Sequence, residues 1–236
     1  DDEYHHTEKD PHKKEWNLSE IILGGQDGLV NVLGVILGVA AATSDVRVVM
    51  VAGLAATFAE SISMGAVAYT SALATADFYE SELEREYRHI QSVPNLEKDE
   101  IRKIYQAKGF QGNLLNRIVE TITANEDVWV AVMMAEEHQL TPADRSTAVK
   151  SAIIVGISAI IGSIIPLIPF TFLPIGWSMI ASVILTSIVL FIVGAYKAHV
   201  TIGKPVRSGF EIALIGTISA LAGYVVGALL KVPVTP

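Results

Sequence analysis

The apolar, glycine-rich stretch GGQDGLVNVLGVILGVAAA at residues 24–42 holds Asp27 and, four residues on, Asn31. Gly34 and Gly38 continue the i, i+4, i+7, i+11 spacing, which puts all four on one face of a helix. A charged acid in a membrane helix costs about 2.5 to 3.5 kcal/mol, so one that is kept marks an ion or proton path. A second apolar stretch, AESISMGAVAY at 59–69, carries Glu60 and Met64 four apart, with Ser63 beside them. Two helices would then each present a polar stripe with a carboxylate, and one adds a thioether. Helix packing is the competing account, because small residues let helices approach and an isolated amide hydrogen-bonds across. It serves Asn31 and Ser63 as well as a path does, and Asp27 and Glu60 less well.

A polar segment downstream offers a second set of ligands. Glu86 and His89 form E-x-x-H, Glu97 and Glu100 form E-x-x-E, and Met133, Met134, Glu136 and Glu137 lie together. Carboxylates with imidazole suit a divalent first-row ion, and a thioether tilts the set away from Mg²⁺ and Ca²⁺ toward Fe²⁺. Acids on amphipathic helices are ordinarily a solvated face, which is the reading for Glu80, Glu82, Glu84 and Asp99. His5, His6 and His12 sit in a polar tail and read as disordered rather than ligating. Arg207 and Glu211, four apart, read as a local ion pair.

The elements that must position these residues are membrane helices. The chain of 236 residues is 51% hydrophobic and only 18% charged, where soluble domains average about one quarter charged. Five apolar segments are long enough to cross about 30 Å of hydrocarbon: 20–43, 47–76, 149–169, 174–197 and 208–231. The absence of cysteine excludes disulfides, thiolate metal sites and thiol redox chemistry. A net charge of −8 argues against a nucleic-acid partner. The first twenty residues lack the apolar core of a signal peptide, and the chain opens at Asp1 without a methionine.

The expected organisation is a polar tail (1–19), spans one and two (20–76), an acidic helical insert (77–148), spans three to five (149–231) and a short tail (232–236). The second span continues unbroken into charged sequence, which predicts one long helix leaving the membrane. Within the insert, Pro94 ends the first helix, Asn95 is a candidate N-cap, Gly109 a stop, and 113–138 the last helical stretch. Thr141-Pro142 leads into span three. Lys9, Lys13 and Lys14, nine basic residues from Arg85 to Lys150, and Lys197, Lys204 and Arg207 together place 15 of 17 Lys and Arg on one side. Only Arg47 and Lys231 fall on the other, so the N-terminus and the insert face the cytoplasm.

Taken together, QDGLVNVLGVILGV, AESISMGAVAY, the acidic insert, MMAEEHQL and IIPLIPFTFLP at 164–174 resemble the vacuolar iron transporter family. The resemblance runs from about residue 16 to 230. It implies an all-α integral membrane protein with five transmembrane helices per subunit and a cytoplasmic helical metal-binding insert. It implies a homodimer whose translocation path, between the subunits, is lined by spans one and two. The activity it implies is export of cytoplasmic Fe²⁺, often also Mn²⁺, into a vacuole or out of a cell in exchange for protons. No prosthetic group is implied, and the sequence does not separate Fe²⁺ from Mn²⁺, Co²⁺ or Zn²⁺ as substrate. The expected location is a prokaryotic cell membrane or a vacuolar membrane.

Residue by residue, the family's path aspartate in D-G-L falls on Asp27 and its path methionine in S-M-G on Met64. Its insert ligands fall on Glu86, Glu97, Glu100, Met133, Met134 and Glu137. The chain departs at His89, where a glutamate is expected, and at Ala56, where the family often has an acid; Glu60 lies one turn nearer Met64. The expected mechanism is antiport, in which proton and dication compete for the Asp27 carboxylate while Glu60 stands nearby. The alternative is a membrane-bound ferritin-like di-iron protein that oxidises or buffers Fe²⁺. That chemistry takes two E-x-x-H motifs and two further glutamates in one bundle, and the insert has one such motif, at Glu86–His89.

Overall fold

The structure, a computed structural model, describes residues 15–230. The tail residues His5, His6, His12, Lys9, Lys13, Lys14 and Lys231 lie outside the described residues. Among those described, the regular elements are helices: α1 (Glu15–Thr43), α2 (Val46–Ser92), α3 (Pro94–Ala107), α4 (Gly112–Thr123), α5 (Glu126–Glu136), α6 (Thr147–Ile164), α7 (Ile175–Val200) and α8 (Pro205–Leu229). A 3-10 segment, Ile165–Thr171, extends α6. Five helical stretches are long and apolar enough to cross a bilayer: α1, α2, α6 with its extension, α7 and α8.

Local chemistry sets the boundaries. Ser44 turns the chain with φ 53°, and the Asp45 carboxylate then caps α2 by accepting the Arg47 amide at 2.8 Å. With no proline between Val46 and Ser92, α2 runs 47 residues without interruption. The third span differs from a plain helix over 149–169. Pro166 and Pro169 lack the N–H that an α-helix needs, and the chain tightens to 3-10 there. Ser178 and Ser182 of α7 donate to the carbonyls of Pro169 and Pro166 at 3.2 and 2.6 Å, so these buried hydroxyls serve the proline turn. Thr141-Pro142 is not helical; α6 begins at Thr147, after a turn in which the Asp144 carboxylate accepts the Ser146 amide.

The chain divides into two compact units, one comprising residues up to Tyr69 and from Val149 onward, the other Thr70–Ala148. In the first, Val32, Leu33, Ile36, Leu37 and Ala40 of α1 form a core with Val49, Leu167, Phe170 and Ala220. Helix backbones approach closely around α1. A Cβ on Gly28 would stand 2.4 Å from the Ala159 carbonyl oxygen of α6, and one on Gly223 of α8 would stand 2.3 Å from that of Gly34. Gly34 and Gly38, which share a helix face with Asp27, therefore serve the contact with α8.

In the second unit, the end of α2 packs with α3, α4 and α5 around Ile90, Ile101, Leu115, Val119, Ile122, Trp129, Val130, Met133 and Met134. Polar pairs tie the rim: Tyr87 to Asp127 at 2.8 Å and Arg102 to Asn116 at 2.6 Å. Asn95 is not the cap of α3. Val93 holds that position, because Pro94 is preorganised for the first helical residue and draws the start one step earlier. Gly109 follows the end of α3 with φ 98°, a conformation suited to glycine. The stretch 113–138 is two helices, since Asn125 accepts the Val128 amide at 3.1 Å and starts α5 afresh.

Candidate metal sites

Two groups of ligating side chains stand out, one in each unit. In the first, Asn31 of α1 donates its side-chain amide to Glu60 Oε1 of α2 at 2.9 Å. Asp27, one turn before Asn31, faces the same Glu60 closely enough for the two carboxyl groups to interact. Asp27 and Asn31 lie one turn apart on α1, and the packing of α2 against α1 brings Glu60 to them. Met64 lies one turn beyond Glu60 and is half-buried, as is Ala56 one turn before it. Asn31 itself is exposed on the flank of the chain. Two carboxylates and an amide, with a thioether one turn away, form a donor set for a divalent first-row ion.

In the second unit, the ends of α2, α3 and α5 converge on a cluster of acids. Glu86, Glu137 and His138 form one group and Glu97, Glu100 and Glu137 another, with ligand atoms within 4.8 Å of one another in each. Glu137 belongs to both. Glu86 and Glu97 are only 2% and 3% exposed. Each uses Oε1 on a histidine: Glu86 lies 2.8 Å from His138 Nε2, and Glu97 lies 3.6 Å from His89 Nδ1. In each the other oxygen, Oε2, is buried without a hydrogen-bond partner. A buried carboxylate oxygen left unpaired is costly, and a cation between the acids would relieve both at once. The cluster therefore fits a dication.

Burial, and then the crowding of like charges, favours the protonated form of two of these acids. Burial, then the charges of Glu100 and Glu86, push the Glu97 carboxyl up to about 7 from its ordinary 4.5. Glu137 is also raised, first by burial and then by Glu100. A bound dication would act in the opposite sense and expel the proton.

The sequence-derived ligands do not all meet. Glu86, Glu97, Glu100 and Glu137 do, and His89 leans on Glu97 while remaining half exposed. Glu136 points elsewhere and pairs with the Lys108 ammonium at 2.5 Å. Met133 and Met134, on the turn of α5 before Glu137, are buried in the core with Ile101 and Trp129. His138 was missed by sequence reasoning. It lies past the end of α5 and shares no helical spacing with Glu86, although the run Glu136-Glu137-His138 offered the signal. Arg207 and Glu211 pair at 2.9 Å, as their spacing suggested.

The VIT family pattern matches residues 18–228. The chain is 35% identical over 221 residues to vacuolar iron transporter 1 of Arabidopsis thaliana, covering 93% of this chain and 88% of that protein. It is 34% identical to vacuolar iron transporter 1 of Eucalyptus grandis, covering 88% and 84%, and 31% identical to the vacuolar iron transporter of Plasmodium falciparum, covering 97% and 85%. On the extent of the family match and the near full-length identity to these relatives, the chain belongs to the VIT family.

Proposed function

We propose that this protein is a divalent-metal transporter that moves Fe²⁺, and Mn²⁺ as a second substrate, out of the cytoplasm in exchange for protons. The observation that carries the reading is the set Asp27, Asn31 and Glu60 on two helices able to span a membrane. Acids at such depth are unfavourable unless they handle ions. The relatives' name, vacuolar iron transporter, supplies the substrate class.

In the working cycle, Asp27 and Met64 ligate the ion and Glu60 stands beside them, oriented by Asn31. A carboxylate oxygen cannot hold a proton and a dication together, so metal entry releases a proton and metal exit accepts one. The protein acts as a homodimer with the path between subunits. The exposed Asn31 amide beside the half-buried Glu60 is unfavourable against lipid, which supports a second copy as the cover for that flank. The insert, 77–148, is cytoplasmic with the N-terminus, as the distribution of Lys and Arg supports. Its Glu86, Glu97, Glu100, Glu137 and His138 gather the metal before transport. The membrane is that of a vacuole or of a prokaryotic cell.

The test is metal flux into proteoliposomes with Fe²⁺ outside, with and without an imposed pH gradient, read by internal metal and pH dyes together. Metal uptake with opposite proton movement supports antiport. Absence of flux with metal still held by the insert overturns it, and O₂ consumption by the loaded protein would then favour the ferritin-like di-iron reading.

A further inference from the structure

Between α1 and the junction of α7 with α8 lies a cavity of about 810 Å³. Leu23 and Val30 of α1, Val200 of α7 and Ile215 of α8 give it largely apolar walls, and Ser19, Gln26, Lys197 and Thr201 add polar groups. That size, with apolar walls and a few polar groups, is typical of small-molecule sites. Lys197 is exposed, and among the described residues no acid pairs with it, whereas Arg207 takes Glu211 and Lys108 takes Glu136. An ammonium on the wall of an apolar crevice selects an anionic head on an apolar body.

Position narrows the choice of ligand. Lys197 stands in the last turn of α7, ahead of the loop that carries Lys204 and precedes Arg207. The end of a spanning helix lies at the headgroup layer, and basic pockets between spanning helices take acidic lipid heads. We propose that this crevice binds an acidic phospholipid of the surrounding bilayer, its phosphate on Lys197 Nζ and an acyl chain along Leu23, Val30, Val200 and Ile215. Asp27 also lines the cavity, eight residues beyond Ser19 and so about 12 Å deeper along α1. That depth separates it from the headgroup and sets it beside the acyl chain, which would keep water from that side of the carboxylate. The site does not depend on the transport reading.

The test uses the full chain purified in detergent and mixed with phosphatidylglycerol or phosphatidylcholine of identical acyl chains, with retained lipid counted by native mass spectrometry. Phosphatidylglycerol is expected to be retained about five- to tenfold better, in keeping with one lysine–headgroup contact. K197Q brings the two lipids to parity, and K197R keeps the preference. I215W, which fills the crevice, reduces retention of both. Equal retention by the unaltered protein, as expected for a lysine that only snorkels, or a preference that survives K197Q, would overturn the proposal. Displacement of the lipid by millimolar glycerol phosphate would assign the site to free phosphate and overturn it equally.

Discussion

The side-chain amide of Asn31 on α1 reaches the Glu60 carboxylate on α2 at 2.9 Å, a hydrogen bond that ties together the two helices carrying the intramembrane acids. A hydrogen bond to a charged group contributes about 1.5 to 3 kcal/mol, which corresponds to roughly ten- to a hundredfold in an equilibrium constant. Asn31→Ala is therefore expected to raise the metal concentration for half-maximal flux by about tenfold. Asp27→Asn removes the ligating charge and is expected to reduce flux to background while metal binding by the insert persists. Both are read in the same liposome assay. Full transport by D27N would remove Asp27 from the mechanism.

Metal binding by the insert is expected to release protons. Burial and the neighbouring acids hold Glu97 up to about 7, above its ordinary 4.5. Without metal the folded state favours the protonated form, so this group's contribution to stability is present below pH 4.5 and is lost as pH rises through about 7. Metal reverses the balance. Apparent affinity should climb between pH 5 and 7 and flatten above, and hydrogen exchange of α3 and α5 should show metal protecting them most at the upper end. Calorimetry in two buffers of different ionisation enthalpy would count the protons. Glu97→Gln should reduce the pH dependence, leaving the part due to Glu137, and a pH-independent affinity in the unaltered protein would contradict the linkage.

His138 and His89 make unequal contributions. His138 holds the buried Glu86 at 2.8 Å, while His89 is half exposed and 3.6 Å from Glu97. Replacing a residue that orients a ligand commonly costs about 10- to 100-fold in metal affinity. His138→Ala is expected to fall in that range and His89→Ala below it, as measured by Mn²⁺ titration of the full chain. The reverse order would restore the E-x-x-H motif as the principal ligand pair.

These residues also show where sequence reading succeeds and where it stops. The five spanning stretches were legible because each is an apolar run of membrane length, and the continuity of α2 was legible because no proline interrupts it. That Asp27 and Asn31 share a face of α1 was legible from their i, i+4 spacing, whereas the meeting of Glu60 with them depends on how α2 packs against α1. The 3-10 segment at Ile165–Thr171 was not, since it depends on two prolines whose carbonyls take hydroxyls from another helix. Glu136 and Glu137 are adjacent, yet Glu136 turns to Lys108 and Glu137 to the acids, because successive helical residues point about 100° apart. Which of the two faces the cluster is set by how α5 packs against α2 and α3, and no local pattern records that.

The close approach of α1 to α6 gives a prediction about stability rather than chemistry. A Cβ on Gly28 would stand 2.4 Å from the Ala159 carbonyl oxygen and 2.6 Å from Ser163 Oγ. The serine side chain can rotate away, but the carbonyl belongs to a helix backbone and cannot yield without separating α1 from α6. Overpacking of this kind costs about 1 to 3 kcal/mol. Gly28→Ala should lower the thermal unfolding midpoint of the detergent-solubilised protein. Gly176→Ala, where nothing lies within 4 Å, should leave it unchanged. Because Gly28 adjoins Asp27, a G28A protein that stays folded should also transport poorly, its carboxylate carried away from Glu60 with the displaced helix. Equal stability of the two variants would mean that α1 and α6 are not held at this separation.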